Sequence, residues 1–132
     1  MEINRADVVA EVTEAFHTYE KALVDGDNET LVGYFWDDPA LVRFGLADEQ
    51  RGYAQLSAWR RAQQPVPPGR RLYDTVVTTF GADAAVVTTG FEYPAGPHYP
   101  AGQAPGRQSQ TWIRTPAGWR IVSAHVSQAA QA

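Results

Sequence analysis

Cysteine is absent from this 132-residue chain. That excludes disulfides, thiol nucleophiles and cysteine-ligated metals at once. Positive charge is in the minority: 11 Lys and Arg stand against 15 Asp and Glu, for a formal charge of −4. A nucleic-acid surface needs a basic patch. The nearest approach to one, Arg60, Arg61, Arg70 and Arg71, is interrupted by a proline-rich turn. No apolar run nears membrane-spanning length, and the N-terminus MEINRADVV is polar rather than basic-then-apolar. A cytoplasmic protein with neither nucleic-acid nor membrane partners is the default expectation. His17, His98 and His125 show neither His-x-His nor His-Glu-x-x-His spacing, so nothing calls for a metal or other cofactor. Glycine-rich phosphate loops, a serine-nucleophile elbow and a Ser-x-x-Lys motif are also missing.

What is present suits a folded core. Hydrophobic residues make up 44% of the chain, with four Trp, six Tyr and five Phe, and the length fits one domain spanning 1–132. Val9, Val12, Phe16, Tyr19 and Leu23 recur at steps of three and four, which predicts a helix over 5–24 with one buried face. Asn4 is a plausible N-cap and Gly26 a plausible stop. A second helix is expected over 28–35, capped by Asp27 and ended by Asp38-Pro39. A short strand is expected over 40–45 and a third helix over 53–62. From Arg71 onward valine, threonine and aromatic residues dominate, and strands are expected over 71–80 and 84–93. A Pro/Gly-rich loop occupies 94–106. The order of elements implies an α+β fold: three N-terminal helices against a curved antiparallel sheet, enclosing a conical cavity.

The last block, GRQSQTWIRTPAGWRIVSAHVS (106–127), reads as a β-hairpin turning at Pro116-Ala117. Uninterrupted pairing would match Trp112 with Ile121, Gln110 with Ser123, and Gln108 with His125, each pair sharing a face. One face would then run from tryptophan to amide, hydroxyl and imidazole, as a small-ligand pocket wall does. Val122, Ala124 and Val126 would give the last strand an apolar back, suited to a sheet-to-sheet homodimer.

Other candidates need weighing. Tyr19 lies in the apolar stripe of the first helix. A core tyrosine bonded to backbone is the commoner reading, and a proton or hydrogen-bond donor to substrate is the functional one. Arg43 interrupts an apolar strand. It is either a solvent-facing edge residue or a guanidinium fork set for a small carboxylate. His125 is a base, a donor or a structural partner of Gln108. Asp74 and Glu92 lie in strands whose register is open. Trp36, in Phe35-Trp36-Asp37, reads as pocket wall or helix-end packing.

Thr111-Trp112-Ile113-Arg114, Gly118-Trp119-Arg120-Ile121-Val122 and His125-Val126-Ser127 together resemble the nuclear transport factor 2-like superfamily. This is the cone-shaped, cystatin-like α+β fold of ketosteroid isomerases and SnoaL-like cyclases. Phe35-Trp36-Asp37, Val42-Arg43-Phe44-Gly45, the segment 76–81 and above all GRQSQTW (106–112) narrow the likeness. They are similar to the 1,3-dicarboxyurea amidohydrolase and oxalurate-catabolism family. The resemblance implies a metal-free hydrolase of a ureido or amide dicarboxylate, working as a homodimer or higher homo-oligomer. It also implies that a first-helix tyrosine and a short-strand arginine act, which by position are Tyr19 and Arg43. Gln108, Gln110, Trp112, Ser123, His125 and Trp36 would then bind substrate. Two other readings remain open: a non-catalytic carboxylate-binding or accessory module, and a SnoaL-like cyclase or isomerase using a pocket carboxylate as base.

Overall fold

The computed structural model describes residues 1–97 and 103–130; His98 and part of the Pro/Gly-rich loop lie outside the described residues. Helix α1 (Ala6–Asp25) forms because Val8, Val12, Phe16, Tyr19 and Leu23 line up on one face. Val8 rather than Val9 begins the buried stripe, and Arg5 rather than Asn4 occupies the cap. Asn4 instead ties the chain to the sheet: its N–H donates to the Thr79 carbonyl and its side chain accepts from the Thr79 N–H. Gly26 ends α1 at φ 70°, a left-handed conformation that glycine adopts without cost. Helix α2 (Asn28–Gly33) is capped by Asp27, whose carboxylate accepts from the Thr30 N–H.

Strands β1 (Val42–Phe44) and β2 (Glu49–Arg51) precede helix α3 (Tyr53–Arg61). Strands β3 (Arg71–Phe80), β4 (Ala84–Glu92), β5 (Gly106–Thr115) and β6 (Gly118–Gln128) complete one curved six-stranded sheet in the order β2-β1-β6-β5-β4-β3. All neighbours are antiparallel except β1 and β6, which run parallel. The α+β class expected from the sequence is the one observed. Strand β2 was not anticipated, because Glu-Gln-Arg carries no apolar alternation.

The core lies between α1 and the inner face of the sheet. Phe16, Leu31, Leu41, Leu56, Trp112 and Ile121 are each essentially inaccessible to solvent. Removing a ring such as that of Trp112 would cost roughly 3–5 kcal/mol in lost burial and cavity formation. Among the described residues no helix is long and apolar enough to cross a membrane.

Two β-bulges decide which side chains enter the core. In β3, Tyr73 pairs with Gly90 but Val76 with Thr88, so Asp74 and Thr75 together oppose Thr89. Asp74 takes φ 53° and is exposed. In β6, Thr111 pairs with Ser123 while Trp112 pairs with Ile121, leaving Val122 as the extra residue. An inserted residue reverses every facing beyond it, because the side-chain period is two. Gln110 therefore opposes Ala124, and Gln108 opposes Val126. Ser123 and His125 turn to the exposed outer face, where His125 packs edge-on against Phe44. The expected polar wall thus loses its hydroxyl and imidazole. The expected apolar back of β6 is lost too, since Ala124 and Val126 face inward.

Candidate functional site

A pocket of about 270 Å³ lies between α1, α3 and the inner face of the sheet. The β6 bulge helps create it. Because β1 pairs in parallel with β6, Arg43 sits beside Ala124, whose short side chain leaves room on the pocket face. Tyr19 and Leu23 enter from α1, Trp59 and Arg60 from α3, and Gln108 and Gln110 from β5.

Tyr19 is buried, with Tyr34, Phe35 and Trp112 set edge-on around it at 6.0–6.4 Å between ring centroids. Such a cage fixes the ring and leaves the hydroxyl as its one polar handle. Burial pushes the phenol above its ordinary range, although the nearby guanidinium of Arg60 pulls it down. Near neutral pH Tyr19 is therefore a protonated donor. Trp112 lies behind this cage and holds Gln110: its indole N–H donates to the Gln110 Oε1 at 3.0 Å. It acts on the pocket through Gln110 and does not line it.

Three arginines reach the pocket, and each is engaged differently. Arg70 is the most committed. It pairs with Glu20 at 2.9 Å, donates to Gln108 at 3.3 Å and lies 4.3 Å from the Phe91 ring centroid. Gly106 makes room for that ring, since a Cβ there would collide with Phe91. Desolvation works against the Arg70 charge, but the Glu20 carboxylate, together with the Tyr93 hydroxyl, more than compensates and raises its pKa. Arg43 is partly committed. Its Nη1 donates both to Asp48 at 2.9 Å and to Gln50 at 3.0 Å, and its guanidinium stacks on Trp59 at 4.3 Å. Burial works against the Asp48 charge, but the Gln50 amide and Arg43 hold its carboxyl below the usual range. Arg60 has no ion-pair partner among the described residues, and its buried Nε makes no hydrogen bond. It is 7% exposed and lies 4.5 Å from the same Trp59 ring. Burial pulls its pKa down, while the Tyr19 hydroxyl opposes the shift.

The structure thus brings Tyr19, Arg43, Gln108 and Gln110 together around one space. It does not bring in the other sequence candidates. Ser123 and His125 are turned outward by the bulge, and Trp36 borders a separate hollow with Phe35, Tyr53 and Pro116. Asp74 is exposed, and Glu92 is ion-paired with Arg71. Among the described residues no cluster of three or more His, Asp or Glu could hold a metal ion.

Arg60 and Arg70 were missed as pocket residues, and Glu20 as the partner that holds Arg70. A signal for two of them was present. Glu20 falls between Phe16 and Leu23 at steps of four and three, and Arg60 lies four residues after Leu56, so both occupy buried helix stripes. A charge in such a stripe needs a partner or a ligand.

Several solved structures share this fold. A cystatin-like fold protein from Burkholderia xenovorans LB400 is 48% identical over 100% of this chain and 99% of its own, with a TM-score of 0.89. A protein of unknown function from Pectobacterium atrosepticum SCRI1043 is 42% identical over 97% of this chain and 95% of its own, with a TM-score of 0.88. A nuclear transport factor 2-like superfamily protein from Salmonella enterica serovar Typhimurium LT2 is 25% identical over 96% of this chain and 94% of its own, at a TM-score of 0.71. No curated protein matches significantly. The fold is that of the nuclear transport factor 2-like superfamily. Within it, the AtzH-like family model matches residues 1–132, and the chain belongs to the AtzH-like family.

Proposed function

We propose that this pocket binds a small carboxylate and that the protein is a hydrolase of a ureido or amide dicarboxylate, 1,3-dicarboxyurea-like or oxalurate-related. One observation carries the reading. A buried phenol and three arginines converge on one small space, and only two of those arginines have carboxylate partners there. A pocket with surplus buried positive charge favours an anion strongly.

In this reading the Arg43 fork, engaged with Asp48 and Gln50 through Nη1 alone, clamps a substrate carboxylate with its remaining edge. Fixing one end of a short ligand orients the scissile C–N bond. Water adds at the carbonyl carbon, the C–N bond breaks, and the departing nitrogen takes a proton. The Tyr19 hydroxyl donates to that nitrogen or to the developing oxyanion. Gln108 and Gln110 hold oxygens of the substrate. Asp48 is tied to Arg43, and Glu20 to Arg70. The protein's share of the chemistry is therefore charge stabilisation and proton donation more than base catalysis.

A second reading is a non-catalytic small-acid-binding or accessory module. It is favoured by Gln108 and Arg43 being already bonded within the protein. A cyclase or isomerase would want Asp74 or Glu92 in the pocket as base, and both lie outside it. Incubation with 1,3-dicarboxyurea and with oxalurate, followed by product analysis, separates the first two. Turnover abolished or cut by Arg43→Lys supports the hydrolase. Ligand-induced thermal stabilisation without product supports the module.

A further inference from the structure

Among the pocket's cations, Arg60 is the one that the described residues leave without an ion pair, Asp48 being paired with Arg43 and acting on Arg60 only from a greater distance. It is nine-tenths buried, has no ion-pair partner among the described residues, and keeps an orphaned Nε. A buried unpaired charge is costly, and a fold keeps one where something outside the chain completes it. Arg60 also shares the Trp59 ring with Arg43, at 4.5 and 4.3 Å from its centroid, so their guanidinium carbons are at most about 9 Å apart. Two like charges that close, in a partly dry site, repel each other, and Arg43 indeed adds to the lowering of the Arg60 pKa. A ligand with an anionic group at each end would relieve both charges at once.

We propose that Arg60, with the Tyr19 hydroxyl, forms a second carboxylate subsite, so that the pocket selects small dicarboxylates over monocarboxylates by spanning Arg43 and Arg60. This rests on the reading of the pocket as an anion site, but not on hydrolysis. Trp59 is the platform that holds both guanidinium planes in place. Arg70 takes no part, because Glu20 and Gln108 already fill its fork.

Calorimetric titration with malonate and with acetate tests the subsite on the full chain. The wild type binds malonate more tightly than acetate. Arg60→Gln weakens malonate by about tenfold or more, the scale of one lost charge-assisted pair, and largely erases the preference while acetate binding at Arg43 persists. Arg60→Lys keeps the charge without the fork and gives an intermediate result; it also serves if the glutamine variant does not fold. Arg61→Gln, next in sequence but paired on the surface with Glu29, leaves both affinities unchanged. Malonate binding within about twofold of wild type in Arg60→Gln, or a wild type that binds neither acid, overturns the subsite. Arg60-dependent malonate binding with no turnover of 1,3-dicarboxyurea instead overturns only the hydrolase reading.

Discussion

Arg60 and Arg70 line one pocket, yet they stand on opposite terms with the rest of the chain. Arg70, just before β3, is enclosed by Glu20, Gln108 and the Phe91 ring. Arg60, on α3, has a tryptophan face and a phenol nearby, but no carboxylate among the described residues within ion-pair distance. Their sequence neighbours Arg61 and Arg71 are both exposed and ion-paired on the surface. The same residue type therefore does three jobs here: it closes the fold, coats the surface, or waits for an anion. Partner geometry, not charge, separates these jobs. An arginine saturated by the protein contributes to stability, and one left unsaturated contributes to binding at a cost in stability.

The largest effect should come from breaking the saturated side. Glu20→Gln leaves Arg70 buried without its counter-charge. We expect a loss of about 3–5 kcal/mol in urea unfolding, the usual penalty for stranding one member of a buried pair. A loss below about 1 kcal/mol would mean that solvent already reaches the pair. The next effect lies on the unsaturated side. Tyr19→Phe removes the donor hydroxyl but keeps the ring within its aromatic cage. Turnover of 1,3-dicarboxyurea should fall by roughly 10²-fold or more, while the unfolding midpoint moves little. A variant as active as wild type would reduce Tyr19 to packing. Arg43→Lys should come third, with turnover down by about tenfold, because an ammonium cannot hold Asp48, Gln50 and a carboxylate in one plane.

Arg60→Met sharpens the contrast most directly. It trades an unpaired buried charge for an apolar chain of similar length. Loss of the stacking on Trp59 offsets part of the gain. Stability in urea should be unchanged or higher by up to about 1 kcal/mol, with affinity for malonate down by about tenfold or more. Marked destabilisation would show that Arg60 is saturated after all, and the difference from Arg70 would disappear.

Most of this molecule could be read from its chain. The helix stripes, the stop at Gly26, the Asp27 cap and the hairpin turn all follow from local rules, and so does the inward facing of Tyr19, whereas local pattern alone lets Arg43 face solvent or pocket. What could not be read depends on two kinds of non-local fact. One is pairing: nothing local to Glu20 and Arg70, fifty residues apart, announces that they meet. The other is register. An unbroken alternation from Trp119 to Ser127 is a sound reading of the residues themselves. A single extra residue at Val122, set by how β6 must bend between β5 and β1, reverses half of it. Strand β2 escaped for a related reason, since Glu-Gln-Arg is held by β1 and buries only Gln50.

The smallest expected effect tests that reversal. From the sequence His125 is a base, a donor or a structural partner of Gln108 on the pocket wall, and the bulge places it outside, exposed and against Phe44. His125→Ala should leave turnover and malonate affinity at wild-type values and change stability by less than about 0.5 kcal/mol, as surface substitutions do. Its mirror residue is Ala124, which the same bulge turns inward beside Arg43. Ala124→Leu should fill the pocket and weaken malonate binding while His125→Ala does nothing. If the histidine variant lost activity and the leucine variant kept it, Val122 would not be inserted in solution. The wall of the pocket would then be the hydroxyl and imidazole of Ser123 and His125, and the anion would have a base within reach.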